Sequence, residues 1–256
     1  MALDSLRAAV PRCTELLRRV PDPAVRAIGS WSVGDVAAHL ASVMDNNVAM
    51  IEDAGPVLAA TTAEIERMNA GWLKDDPDRD PTAAAARIER ALERLTDKMR
   101  VSSGDSGIRW HGGLTLDPAT LLCLTLGEVL VHGYDIATAA RARWTIEAGE
   151  ARTVLGGIIE LAPEYVDEDG ARNFSARYEL RIRGGLQATL TFVDGGLTVG
   201  RPDGTADCRI SADPVAFLLV SYGRISVWGP VLRGRMVAWG RRPWLGLKLP
   251  SLLRNP

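Results

Sequence analysis

The spacing of the apolar residues changes midway along the chain, and this change constrains the fold more than any other feature. Up to about residue 140 the apolar side chains recur at helical spacing, whereas from Ala176 onward short runs alternate between apolar and polar residues. Helical spacing favours helices that bury one side, and alternation favours strands of a sheet with one buried face. We therefore expect an all-helical first half and an α+β second half, with the boundary near residues 141–150.

Five segments of the first half are predicted to be helical. Ser32 and Asp117 are suited to cap helix N-termini, and Pro81 and Pro118 suit the first turn of a helix. The predicted helices cover residues 5–19, 33–52, 56–71, 81–100 and 118–140. Four or five long helices with short connections predict an antiparallel four-helix bundle, which we assign to residues 1–143.

The second half contains four short strand-like runs followed by one helix. The runs cover residues 178–182, 186–192, 197–199 and 206–210, with Gly-rich turns between the first three. Asp213-Pro214 then favours a helix through Ser221. We expect a small α+β domain with an antiparallel sheet over residues 150–256.

Charge and cysteine content restrict the classes of partner and compartment. The formal net charge is −2, so no large electrostatic contribution favours nucleic acid or an anionic membrane, although basic residues concentrate between Arg233 and Arg242. We interpret that run as solvated surface. No apolar run approaches the roughly 20 residues of a membrane span, so no membrane insertion is expected. Three widely spaced cysteines fit a reducing cytoplasm better than a disulfide framework.

The histidines indicate the chemistry. The chain has three, and two of them, His39 and His132, lie on predicted helices among apolar residues, where an imidazole needs a hydrogen-bonding or metal partner. Glu128 precedes His132 by four residues, so both side chains leave the same helix face. With His39 they form a two-histidine, one-carboxylate set, which on zinc leaves a coordination position open as in catalytic sites. Nickel or iron would also accept these ligands.

Spacing alone leaves two interpretations of this set open. A Glu and a His four residues apart are often a hydrogen-bonded pair without a metal, and an apolar-face His is often a satisfied core residue. If a metal is bound, Asp135 could accept the second imidazole N–H of His132, and Asp35 could do the same for His39.

Two segments resemble the mycothiol-dependent maleylpyruvate isomerase family, whose helical half belongs to the DinB-like superfamily. They are residues 31–40, Trp-Ser-Val-Gly-Asp-Val-Ala-Ala-His-Leu, and residues 127–136, Gly-Glu-Val-Leu-Val-His-Gly-Tyr-Asp-Ile, preceded by Trp-His-Gly-Gly at 110–113. The resemblance implies zinc on His39, Glu128 and His132. It also implies that the metal binds the sulfur of mycothiol and that the resulting thiolate attacks a small electrophilic substrate, giving an isomerase or an S-transferase.

The second half resembles the sterol-carrier-like domain that many members of this family carry. Residues 206–217 and the Tyr-Gly-Arg at 222–224 carry this resemblance. It implies that Arg224 points into a cleft as a catalytic residue, with an exposed surface position as the alternative. His111, in the Gly-rich loop 102–113, could act as a proton donor, with a loop histidine of no chemical role as the alternative.

Two further alternatives stay open. The tryptophans Trp228, Trp239 and Trp244, with the leucines around them, are expected to close the core of the small domain, or otherwise to form the floor of a lipid tunnel. The chain could accordingly be a non-enzymatic binder of an apolar ligand or lipid in its second half. The sequence does not name the electrophile, the metal or the oligomeric state.

Overall fold

The computed structural model describes residues 1–101 and 107–254, so the first part of the Gly-rich loop, 102–106, lies outside the described residues. The chain divides into two compact units, Met1–Thr145 and Ile146–Pro256, called the first and the second unit below. The first unit is helical and the second is built on a sheet. The predicted fold class, helical and then α+β, is confirmed.

The first unit is a bundle of four long helices. Its helices are α1 (Ala2–Arg18), α2 (Val33–Glu52), α3 (Ile65–Asp75), α4 (Pro81–Val101) and α5 (Pro118–Ala140), and α1, α2, α4 and α5 pack on one another. Two short antiparallel ladders join them, β1 (Arg26–Ile28) with β2 (Trp31–Ser32) and β3 (Ile108–Arg109) with β4 (Thr115–Leu116). The predicted caps are present, since the side chains of Ser32 and Asp117 accept from the backbone N–H groups of Asp35 and Thr120.

The third predicted helix is wrong in its first half. A short 3-10 turn covers Thr62–Glu64 and α3 begins only at Ile65. The reason lies on α2, where the Asn46 amide accepts from the Val57 N–H at 2.8 Å and donates to the Val57 carbonyl at 3.0 Å. These bonds satisfy backbone groups of the segment after α2 without a helix.

Helix α5 is the central element of the bundle. In the described part of the chain it is the one helix long and apolar enough to cross a bilayer. However, 72% of its most apolar 18-residue stretch is buried within the protein. Leu126, Val129, Leu130 and Ile136 are fully buried. A helix that is apolar on all sides and covered by other helices is a core helix, and the charged and imidazole groups that it carries lie inside the bundle.

The second unit is a five-stranded sheet with helices. Its strands are β5 (Ala176–Ile182), β6 (Gln187–Val193), β7 (Gly196–Gly200), β8 (Cys208–Ala212) and β9 (Met236–Trp239), in the order β7-β6-β5-β8-β9. The first three form the predicted antiparallel meander, and β9 is antiparallel to β8, but β8 lies parallel to β5. Its helices are α6 (Ala148–Glu160), α7 (Pro214–Ser221), α8 (Trp228–Leu232) and α9 (Leu245–Lys248).

The expectation that the tryptophans close the core of this domain is wrong. Leu245 and Leu249 are buried, whereas Trp228 is 56% and Trp244 is 62% exposed. Trp239 is on the edge strand β9, where side chains alternate between the two faces and Met236 takes the buried side. Leucines from α9 and the residue after it, rather than indoles, therefore cover the core here.

Candidate metal centre

Three side chains from two facing helices converge inside the bundle. One donor atom each from His39 of α2 and from Glu128 and His132 of α5 lie within 4.8 Å of one another. The Oε2 atom of Glu128 lies 3.4 Å from Nε2 of His39 and 3.3 Å from Nε2 of His132. The two imidazole rings meet edge to face with their centroids 4.9 Å apart. The structure thus brings together the three residues that the sequence singles out.

Asp135 orients the ring of His132. Its Oδ2 atom lies 3.0 Å from Nδ1 of His132, and both side chains are buried. A carboxylate at this position favours the tautomer that carries its proton on Nδ1. Nε2 then faces Glu128 and His39, which is the orientation that a metal-binding imidazole requires.

The charges of this cluster are coupled in the metal-free protein. Burial by itself would raise the pKa of Glu128, but hydrogen bonds from His132 and His39 outweigh it and hold the pKa below its ordinary value. Burial by itself would lower the pKa of His132, but hydrogen bonds to Asp135 and Glu128 raise it to about 9. Without a metal, His132 is therefore an imidazolium at neutral pH, held by two carboxylates.

The residues before His39 fix the start of α2. Ser32 and Asp35 form a reciprocal capping box, with the Asp35 carboxylate accepting from the Ser32 N–H at 2.9 Å and from its hydroxyl at 2.7 Å. The other Asp35 oxygen accepts from Nε of Arg79 at 2.5 Å. Asp35 therefore positions the helix and the segment around Arg79, rather than the ring of His39 as predicted.

Glycine is required between these two capping residues. A Cβ atom on Gly34 would lie 2.8 Å from the backbone carbonyl of Arg79, closer than real Cβ contacts. The run Trp-Ser-Val-Gly-Asp at 31–35 therefore builds a helix start against which the chain before α4 can pack.

Trp31 forms one wall of the candidate site and is a site residue that was not predicted from the sequence. Its ring lies 5.0 Å from the ring of His39, at a tilt of 52°. The signal available in the sequence was its place eight residues before His39, across a helix start. Because β2 leads directly into α2, this side chain can fold back onto the first two turns of the helix.

A second tryptophan contacts α5 beside His132. The indole N–H of Trp144 donates to the carbonyl of Leu130 at 2.9 Å, and its ring lies so close to Gly133 that an added Cβ would be 2.3 Å from ring carbon Cζ2. The guanidinium of Arg12 lies 5.4 Å from the centre of the same ring. Gly133 is thus the position at which Trp144, from the segment after α5, packs against the helix.

His111 has a structural partner. Its Nδ1 accepts the backbone N–H of Ala59 at 3.0 Å, and the neighbouring Gly112 N–H donates to the Ala59 carbonyl at 3.0 Å. Burial lowers the pKa of His111 to about 4, so the ring is neutral at pH 7. The contacts described for His111 therefore join the segment after α2 to the turn before β4, and its predicted role as proton donor stays a prediction.

Arg224 belongs to the second unit. It follows α7, is half-buried, and donates from Nη1 to the carbonyl of Tyr222 at 2.7 Å. Its predicted catalytic role also stays a prediction.

Comparison with known proteins places this geometry in a family. The family model described as the mycothiol maleylpyruvate isomerase N-terminal domain matches residues 3–137. A solved structure of the mycothiol-dependent maleylpyruvate isomerase is 14% identical, with a TM-score of 0.57 over 93% of this chain and 91% of that one. A histidine-to-alanine variant of that enzyme gives the same values. At this identity the two structures show a shared fold.

Two other comparisons add little. Sterol Carrier Protein 2 from Yarrowia lipolytica matches 42% of this chain and 97% of its own at 13% identity, with a TM-score of 0.27, which is too low to support an argument about the second unit. Curated protein sequences give no match. The family model, however, spans more than half of the chain and all three converging side chains. The chain belongs to the family of proteins with a mycothiol maleylpyruvate isomerase N-terminal domain.

Proposed function

We propose that the protein is a metal- and thiol-dependent enzyme in which His39, Glu128 and His132 hold a divalent cation, with zinc as the first choice. The observation that carries the proposal is the convergence of these three donor atoms from α2 and α5. Buried titratable groups at such density are costly unless paired or bound to a metal. The alternative, a coupled ion pair without a metal, predicts no stoichiometric ion in the purified protein.

Two of the three separations between donor atoms fit zinc. Zinc–nitrogen and zinc–oxygen bonds of about 2.0–2.2 Å at tetrahedral angles separate neighbouring ligand atoms by roughly 3.3–3.5 Å. The two separations from Glu128, 3.4 Å to His39 and 3.3 Å to His132, match this spacing. Two imidazoles and one carboxylate also leave a coordination position for a further ligand.

The site is reached from the side of the carboxylate. The His39 and His132 side chains are 3% and 10% exposed, whereas the Glu128 side chain is 27% exposed. Solvent therefore reaches the donor cluster at Glu128, while Trp31 packs beside His39. This one-sided access suits a reaction site better than a closed structural one.

Each residue has a physical task in this proposal. A divalent ion bound here would lower the pKa of a coordinated thiol, so that a thiolate exists at neutral pH. Asp135 holds the Nδ1 proton of His132 and directs Nε2 to the site. Glu128 stays ionised and supplies the negative charge that a cation requires. Trp31 limits the volume beside His39.

The family suggests the cofactor and the substrate class. The related enzyme is named as a mycothiol-dependent maleylpyruvate isomerase. By this likeness we propose mycothiol as the thiol and a small electrophile with an activated double bond as the substrate, in the cytoplasm where thiols stay reduced. Isomerase and S-transferase chemistry differ in whether the thiol is regenerated or consumed.

Metal content tests the site. We would measure divalent metals by mass spectrometry in untagged protein and in the Glu128→Ala and His39→Ala variants, with His111→Gln as a matched histidine control outside the cluster. About one metal ion per chain, lost in the two site variants and kept in the control, is expected. Absence of stoichiometric metal after reconstitution with zinc would refute the assignment.

Measuring free thiol and product together tests which reaction is catalysed. Metal-loaded protein would be incubated with mycothiol and a panel of electrophiles that begins with maleylpyruvate, while free thiol and product are followed together. Turnover at constant thiol identifies an isomerase, and stoichiometric loss of thiol identifies an S-transferase. If loading with metal changes neither signal with any electrophile, the enzymatic proposal fails while the metal site itself stands.

A second candidate function rests on a cavity in the second unit. A cavity of about 310 Å³ lies between the sheet and its helices. Its lining includes the apolar side chains Leu180, Leu190, Ile210, Phe217, Met236 and Leu249. Cavities of this size with apolar walls and few polar groups bind small apolar ligands. Binding of a lipid-like molecule here could accompany an enzyme in the first unit. If the first unit binds no metal, ligand binding is the alternative function.

Displacement of a fluorescent long-chain fatty acid tests the second candidate. Ala162→Phe should fill part of the cavity and weaken binding about tenfold, because Ala162 lines it. Val193→Phe, at an exposed position of the same unit, is the matched control and should bind as the parent protein does. Equal binding by both variants would place the ligand outside the cavity.

A further inference from the structure

The second unit exposes apolar side chains in one short segment. Ten large apolar residues are exposed in the described part of the chain, and six of them lie within residues 228–248, here called the aromatic segment. The six are Trp228, Leu232, Val237, Trp239, Trp244 and Leu247. Single exposed apolar residues are ordinary on soluble proteins, but six within 21 residues, three of them tryptophan, are not. Val237 and Trp239 lie on the face of β9 opposite Met236, so the four on α8 and around α9 are the candidate interaction surface.

The same part of the sequence is strongly basic. From Pro214 to the last residue the chain has seven basic and no acidic residues, although the net charge of the whole is −2. Within the aromatic segment, Arg235 pairs with Asp213 and Arg241 with Asp207. Among the described residues, no carboxylate lies within ion-pair distance of Arg233 or Lys248, whereas Arg242 is close enough to Asp207 to interact with its charge. The low net charge of the chain therefore hides a local excess of positive charge.

Local geometry pairs the exposed residues. Trp228 and Leu232 are four residues apart at the two ends of α8, so both side chains lie on the same side of one helical turn. Trp244 immediately precedes α9 and Leu247 follows three residues later, again on one side. Arg233 directly follows the first pair, and its Nη1 donates to the carbonyl of Gly229 at 3.1 Å. Lys248 directly follows the second pair, and its ammonium lies 4.3 Å from the centre of the Phe174 ring.

We propose that the aromatic segment docks the protein on the surface of an anionic phospholipid bilayer. Tryptophan favours the boundary between headgroups and acyl chains, and arginine and lysine are attracted by anionic lipid. A protein partner would be recognised by shape, whereas exposed indoles in a basic segment suit a fluid surface of negative charge. The docking is peripheral, since neither α8 nor α9 is long enough to span a bilayer.

The position of the apolar cavity agrees with such a surface. Ile225 and Val227, just before Trp228, line the cavity, and so does Gly246, just before Leu247. The exposed apolar pairs are thus neighbours in sequence of residues of the cavity wall. A bilayer bound to the aromatic segment would lie next to that wall, whether or not the cavity takes a ligand.

Vesicle co-sedimentation of the full chain tests the proposal. Vesicles of phosphatidylcholine alone would be compared with vesicles containing about a third phosphatidylglycerol, at low and at high salt. We expect binding to the anionic vesicles that weakens with salt. The double variant Trp228→Ser/Trp244→Ser should lose at least tenfold in partitioning, and Arg233→Gln about fivefold, the factor that corresponds to about 1 kcal/mol for each cation near an anionic surface.

A matched control and a direct contact measurement complete the test. Val193→Ser removes an exposed apolar side chain of the same unit outside the aromatic segment and should bind as the parent does. Brominated lipid should quench tryptophan fluorescence in the parent and less in Trp228→Phe/Trp244→Phe, with circular dichroism confirming the fold. Failure of the parent chain to sediment with anionic vesicles would overturn the proposal. A concentration-dependent dimer that the serine double variant loses, without vesicle binding, would instead assign the surface to a second copy of this chain.

Discussion

His132 and Asp135 are three residues apart on one face of α5, and Nδ1 of the histidine lies 3.0 Å from Oδ2 of the aspartate. This contact decides which ring nitrogen of His132 faces Glu128 and His39. A carboxylate that fixes the tautomer and the ring plane of a ligating histidine usually contributes 10- to 100-fold to metal affinity. The pair therefore links the helix geometry to the strength of the proposed site.

Asp135→Ala should accordingly weaken zinc binding by about 10- to 100-fold while the three donor residues stay in place. Competition with a chelator of known affinity measures the change. Asp117→Asn is the matched control, because it alters a carboxylate of the same helix at its N-cap and leaves His132 untouched. Equal affinity in Asp135→Ala and the parent protein would show that the contact is not needed to orient the ring.

Metal binding should depend on pH through His132. In the metal-free protein its pKa is raised to about 9, so a metal must displace a proton from it below that pH. The apparent zinc affinity should rise by up to tenfold per pH unit between pH 6.5 and 8.5, with release of about one proton near pH 7. Calorimetry in buffers of different ionisation enthalpy measures that proton, and binding without proton release would contradict the charge state given for His132.

Features that depend on neighbours in sequence were predictable. The caps at Ser32 and Asp117 act within three residues, and the Glu128 and His132 pair depends on one helical turn. The grouping of His39 with that pair involves two separate helices. Spacing alone did not predict this grouping, and only the family resemblance implied it. Once both helices pack in the bundle, the three donor atoms fall within 4.8 Å.

Features that depend on packing partners were missed. Alternation of apolar residues predicts a strand but not its partner, so the parallel pairing of β8 with β5 was not foreseen. Helix α6 was missed as well. The exposure of Trp228 and Trp244 contradicts the rule that large apolar residues are buried, and nothing in their local sequence distinguishes them from the buried Leu245.

The buried ring of His111 should make stability depend on pH. Burial lowers its pKa from the ordinary 6.5 to about 4, so the folded state favours the neutral ring. Its contribution is fully present above pH 6.5 and is lost as the pH falls through 4, and it amounts to at most about 3 kcal/mol. The free energy of unfolding from urea titrations at pH 7 and pH 4.5 measures the loss.

The variant His111→Asn isolates this contribution from that of the carboxylates. Its amide oxygen can still accept the N–H of Ala59, but it does not titrate. The variant should lose less stability than the parent protein between pH 7 and 4.5. The same pH dependence in both proteins would mean that His111 titrates normally and that its ring is reached by water.

The close contact between the Trp144 ring and Gly133 allows a direct test of side-chain packing beside the candidate metal site. Gly133→Ala would put a Cβ atom 2.3 Å from the indole, so the ring must move and its hydrogen bond to Leu130 weakens. Overpacking of this kind costs about 1–3 kcal/mol in unfolding free energy. Gly156→Ala is the matched control, because Gly156 also lies within a helix but its added Cβ meets nothing within 4 Å. That control should be neutral or stabilising by up to about 1 kcal/mol.

Removing the indole of Trp144 should remove the loss of unfolding free energy that the methyl group of Gly133→Ala causes. In a Trp144→Ala background, Gly133→Ala should therefore destabilise by less than about 0.5 kcal/mol, since alanine favours the helix over glycine once the clash is gone. Urea denaturation of the four proteins of this cycle gives the coupling energy directly. Zinc affinity measured on the same four proteins then tests the site, because a displaced Trp144 acts on α5 next to His132. A coupling near zero would show that the ring moves freely from Gly133 and contributes nothing to holding that part of the helix.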